Sequence, residues 1–183
     1  MGVVTMKALL WMADAIDWLN ERVGRGLIWL VLVTVVICAG NAVVRKVFNT
    51  SSNAFLEIQW YLFSTVFLLG AAYTLKHNAH VRIDVFYSRY SPRARAWVDI
   101  IGAALFLLPL CLLMVWHAWP VFVSELRSGE MSADAGGLVR WPVKLLLPVG
   151  FGLLALQGCA EIIKRVAFLT GHRADLAQIV TGE

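Results

Sequence analysis

The sequence predicts an all-α integral membrane protein with four transmembrane helices, and three observations lead there. Hydrophobic residues make up 60% of the 183 positions, against roughly 45–50% in a soluble domain, and the mean hydropathy is +0.72. The apolar residues fall in four blocks, each near the ~20 residues that a bilayer-spanning helix needs. None of the blocks shows the period-two alternation of barrel strands, so helices are the remaining way to satisfy every backbone group in lipid.

The elements follow in chain order as one membrane domain over 1–183. Residues 5–22 include "MKALLWMADAIDWLNER", where Leu9, Met12, Ile16 and Leu19 recur at helical spacing. Asp14, Asp17 and Glu21 share the opposite face. This predicts an amphipathic interfacial helix, on the cytoplasmic membrane surface or against a partner. The acidic face is unusual for anionic lipid and favours a protein contact. The same carboxylates, and the length of the apolar run that follows, argue against a cleavable signal peptide.

Spans are expected at about 26–45, 57–75, 96–119 and 141–164, with a cytoplasmic tail over 165–183. A short interfacial segment joins spans 2 and 3. Ser91 reads as an N-cap, with Pro92 at the first helical position. Pro142 opens the fourth span in a similar way. Pro109 and Pro148 lie within spans and are expected to kink them. Trp60, Trp97, Trp116, Trp119 and Trp141 fall near span ends, as in an aromatic belt. Cys38, Cys111 and Cys159 lie one each in three spans and read as packing residues.

Lys and Arg place the chain in the membrane. Eleven of the 16 basic residues lie in the N-terminal segment, the second loop and the C-terminal tail. Those parts, and both termini, are therefore expected on the cytoplasmic side. The net charge of +4 reflects this bias. No basic domain outside the membrane is visible, so nucleic-acid binding is excluded.

Chemistry-bearing motifs are scarce. His77, His80 and Asp84 in "LKHNAHVRIDVFY" have tolerable ligand spacing, but zinc wants three or four protein ligands and none follow nearby. A haem would need paired histidines at membrane depth, and His117 lies near the opposite side. The residues read instead as a solvated bracket between two spans, with Lys76 and Arg82 reaching headgroups. No catalytic motif is present, and no catalytic, cofactor or metal residues are expected. Asp99 and Glu161 lie near cytoplasmic span ends and Glu57 at an outer mouth. Asn41, Ser64, Thr65 and Gln157 are the midplane polar groups, of a kind that cross-links helices. Four spans without a charged pathway read as a scaffold or accessory subunit.

Three stretches carry a family resemblance: "AIDWLNERVGR", "EIQWYLFSTVFLLGAAYTLKHNAHVRIDVFYSRYSPRARAWVD" and "SGEMSADAGGLVRWPVKLLLPVGFGLLALQGCAEIIK". They resemble the small membrane subunit of tripartite ATP-independent periplasmic (TRAP) transporters, the DctQ-like family, in the style of its mannitol/chloroaromatic branch. Glu57, Gly70, His80, Arg82 and Asp84 are the telling positions and imply a structural signature. The resemblance implies a bacterial inner-membrane protein partnered by a large membrane subunit and a periplasmic substrate-binding protein. It implies import of organic acids on an ion gradient, usually sodium, with this chain bracing the large subunit. Glu125, Arg127, Glu130 and Asp134 in the outer loop are candidate docking charges for the binding protein. The competing expectations are a scaffold subunit of another complex and a stand-alone small transporter.

Overall fold

The computed structural model describes residues 2–49, 52–79 and 90–172. Five α-helices account for most of them: α1 (Gly2–Phe48), α2 (Asn53–Lys76), α3 (Pro92–Gly102), α4 (Leu108–Ser128) and α5 (Trp141–Leu169). A π-turn, Ala103–Leu107, joins α3 to α4. Four helical runs are long and apolar enough to cross a membrane: α1, α2, the run from α3 through α4, and α5. Among the described residues there is no named strand, only an isolated bridge between Met131 and Val139.

The expected N-terminal amphipathic helix is not a separate element. Residues 5–22 run without a break into the first apolar block. Gly24 and Gly26 look like a joint in the sequence, since each weakens a helix by about 1 kcal/mol relative to Ala. Tertiary packing decides otherwise. Gly24 lies so close to the Tyr73 ring that a Cβ there would sit 2.1 Å from Cδ2. The Glu21–Arg25 pair also bridges the joint at helical i,i+4 spacing. At 1.5 Å per residue α1 is about 70 Å long, more than twice the ~30 Å hydrocarbon core.

Local rules account for the other ends. Ser91 Oγ accepts from the Ala94 N–H at 3.3 Å, with Pro92 in the first turn of α3. Pro109 acts through the turn before it. Its ring has no N–H and crowds the carbonyl four residues back, and the Leu108 N–H bonds instead to Ala103 O, five residues back. α4 continues through Pro120 and stops at Gly129, whose φ of 62° suits a residue without a Cβ.

α5 is the centre of the bundle and contacts every other helix. It carries Gly150, Gly158, Ala160 and Ala167, all buried. A Cβ at Gly150 would meet the Leu68 backbone oxygen at 2.9 Å, so α2 and α5 touch nearly backbone to backbone. Small residues at such crossings are how helices pack where lipid is as apolar as the core. The large apolar side chains point outward instead, among them Trp29, Phe67, Phe106 and Trp116.

Candidate functional site

The interior is polar where the start of α1, the end of α2, the start of α3 and the end of α5 meet. Gln157, Glu161, Lys164 and Arg165 occupy positions i, i+4, i+7 and i+8 of α5 and so share one face. All four are buried, as is Asn20 of α1. The Asn20 amide donates to Gln157 Oε1 at 2.7 Å. Gln157 Nε2 donates to Asp17 at 2.8 Å and to Glu161 at 3.1 Å. Lys164 Nζ lies 3.1 and 3.0 Å from the two Asp17 oxygens and also donates to Glu161. Arg165 donates to Glu161 and, through Nε, to Asp99 of α3 at 2.7 Å. Its Nη2 reaches Asn78 Oδ1 just beyond α2, at 3.4 Å. One face of α5 thus ties down α1, α3 and the end of α2.

Buried ion pairs gain little net stability over apolar packing. Removing one partner, however, strands a charge and costs about 3–5 kcal/mol. The network therefore fixes helix register. A cleft of about 330 Å³ opens beside it, lined by Leu75, Gly102, Gly158 and the Asp99–Arg165–Glu161 triad.

A second polar tie joins α1 to α2. Glu21 accepts from Lys76 Nζ at 2.7 Å and from Arg25 at 3.0 Å, and lies 3.0 Å from His77 Nε2. It sits ahead of the apolar block, outside the expected span. Hydrogen bonds from Lys76, then His77 and Arg25, lower its pKa from 4.5 to about 2. Two of the three carboxylates of residues 5–22 are thus spent inside the chain, while Asp14 is exposed. Asp17 faces α5 and Glu21 faces the end of α2, which corrects the expectation of an outward acidic face.

At the opposite end of the bundle, residues 129–140 fold back onto the start of α2. Glu57 Oε2 accepts from the Leu138 N–H at 2.6 Å. Tyr61 donates to Val139 O at 3.0 Å, and Asn53 to Ala135 O at 3.1 Å. A Cβ on Gly137 would lie 2.4 Å from Ser132 Cβ and 2.7 Å from Glu57 Oε1, so glycine makes this closure feasible.

The residues singled out from sequence are distributed as follows. Glu57 holds the outer hairpin. Gly70 lies on α2 beside Leu27. His80, Arg82 and Asp84, with most of the link between spans 2 and 3, lie outside the described residues. Glu125 is buried and 3.5 Å from Lys144, with Oε2 unpartnered. Glu130 pairs with Arg140 at 2.9 Å and keeps its outer surface, and this pairing raises the Arg140 pKa further. Arg127 and Asp134 are exposed. Sequence reasoning missed Asn20 and the partnerships of Asp17, Lys164 and Arg165. The α5 spacing carried a signal, but Asp17 lies 147 positions from Lys164, and no local pattern joins them.

Comparison with known proteins supplies the context for this scaffold. The family described as tripartite ATP-independent periplasmic transporters, DctQ component, matches residues 33–168. A C4-dicarboxylate TRAP transporter small permease protein DctQ from Vibrio cholerae is 28% identical over 163 residues, spanning 74% of this chain and 69% of its own. No solved structure matches.

Proposed function

The chain belongs to the DctQ family of TRAP transporter small permease subunits, and from that premise we propose that it works as a rigid brace for a large membrane subunit. The observation that carries this reading is the polar lock of α5 onto α1 and α3. A brace needs helices that hold their register while a neighbour moves, and buried, mutually satisfied charges oppose sliding. The test is reconstituted uptake with the large subunit and binding protein, with and without this chain. Loss of uptake when it is left out is expected; full uptake without it contradicts the proposal.

The finer assignments rest on the resemblance. The complete transporter imports a carboxylated organic acid on an ion gradient, with sodium as the coupling ion, and the chain falls in the mannitol/chloroaromatic branch. The Vibrio relative's name, C4-dicarboxylate, supports the substrate class. Both termini face the cytoplasm of a bacterial inner membrane, and the tail expected over 165–183 begins only after α5 ends at Leu169. Residues 5–22 and the link around His80, Arg82 and Asp84 set the height of the bundle in the bilayer. Arg82→Ala with Asp84→Ala that leaves assembly and uptake intact would remove the role of that link.

Docking of the periplasmic binding protein falls to the outer hairpin. Glu130 and Asp134 of the hairpin and Arg127 at the end of α4 supply the exposed charges, while Glu125 acts inside through Lys144. Rim charges govern encounter rate and salt dependence. Charge reversal at Arg127 and Asp134 is therefore expected to slow association with the binding protein, and unchanged kinetics would refute this.

A further inference from the structure

With Asp17 and Glu21 turned into the bundle, the outward side of α1 has a different character. Ala13, Asn20, Gly24 and Leu27 are the buried positions on its inner side. On the opposite side, at 100° per residue, Lys7, Trp11, Trp18, Arg22, Arg25 and Trp29 fall within about 40° of one line. The three tryptophans are 73%, 61% and 71% exposed. Lys7 and Arg22 are exposed as well, and Arg25 keeps 70% of its side chain in the open while touching Glu21. Arg22 stacks over the Trp18 ring at 5.1 Å. Asp14 flanks the stripe.

We infer that this stripe is a binding surface for anionic phospholipid headgroups. Tryptophan is the side chain of the membrane interface, with an apolar body and one N–H donor. Basic residues beside it bind lipid phosphate, and an anionic leaflet adds attraction for each one. Glu21 does not cancel Arg25, because Lys76 and His77 share the same carboxylate. The helix runs unbroken from this stripe into the apolar block. Trp11 and Trp29 are about 27 Å apart along the axis, several times the depth of one headgroup layer, so the stripe as a whole meets headgroups where this part of α1 lies close to the membrane plane. The inference deepens the height-setting role given to residues 5–22 and names the lipid class that fulfils it.

The test uses the full purified chain in vesicles of equal parts phosphatidylcholine and phosphatidylglycerol, with the acyl chains of only one lipid brominated in each sample. Surface charge is then constant, and bromine quenches nearby tryptophan. Subtracting a W11F/W18F variant isolates those two rings. Quenching by brominated phosphatidylglycerol is expected to exceed that by brominated phosphatidylcholine at least about twofold, and K7Q/R22Q is expected to abolish the difference. Both of those side chains are exposed, so the variant folds; circular dichroism checks this. Equal quenching by the two lipids overturns the inference. So does absence of quenching by either, which would leave the stripe to a protein partner. No large subunit is present, so failure here is distinct from failure of the brace.

Discussion

Replacing Lys164 by Met leaves two carboxylates without their shared cation. Lys164 Nζ lies within 3.1 Å of both Asp17 oxygens and also binds Glu161. Methionine keeps the length and apolar stem but removes the charge. Stranding one side of a buried pair costs about 3–5 kcal/mol. The lower end applies here, because Asp17 retains Gln157 and a 20% exposed side chain, and Glu161 retains Arg165. The expected loss is therefore about 3 kcal/mol. Asp17→Asn in the same background removes the uncompensated charge, so the double variant loses less than the two single losses combined, with a coupling of about 1–3 kcal/mol. The assay is reversible unfolding of the full chain in mixed micelles, followed by helical circular dichroism. A K164M loss under about 1 kcal/mol, with D17N strictly additive, would show that the lock does not hold α1 to α5.

Other expectations follow from single contacts. Gly24→Ala pushes a Cβ into the Tyr73 ring and is expected to cost about 1–3 kcal/mol. Gly26→Ala meets nothing within 4 Å and is expected to stabilise by roughly 1 kcal/mol; the same unfolding assay compares them, and equal effects would contradict the packing argument. Glu57→Gln weakens the acceptor for the Leu138 N–H, so amide exchange over 130–140 is expected to quicken about tenfold. The Glu21 carboxyl is depressed from 4.5 to about 2. Its contribution is therefore complete above about pH 4.5 and is lost as pH falls towards 2. Glu21→Gln is expected to flatten that acid limb of the unfolding midpoint, and a superimposable wild-type profile would refute the tie.

The membrane architecture was legible because hydropathy over about 20 residues needs no tertiary information. The same holds for Ser91 and Pro92, where a cap is a local hydrogen bond. α1 was read as two elements because an amphipathic pattern gives way to an apolar one after residue 22, while Tyr73 of α2 packs against Gly24 and the helix runs on. The direction of the acidic face was misjudged for a related reason. A helix alone shows which residues share a side, but Lys164 and Lys76 decided which side faces in. Gln157, Glu161, Lys164 and Arg165 could have been found by asking why one helical face carries so many polar groups next to an apolar block.

The most direct measurement is recovery of the tagged chain from its native membranes in mild detergent, with partners identified by mass spectrometry. The account predicts a large polytopic membrane protein in near-equal amount, retained by the wild type and released more readily by K164M. Recovery of the chain alone across several mild detergents would contradict the brace.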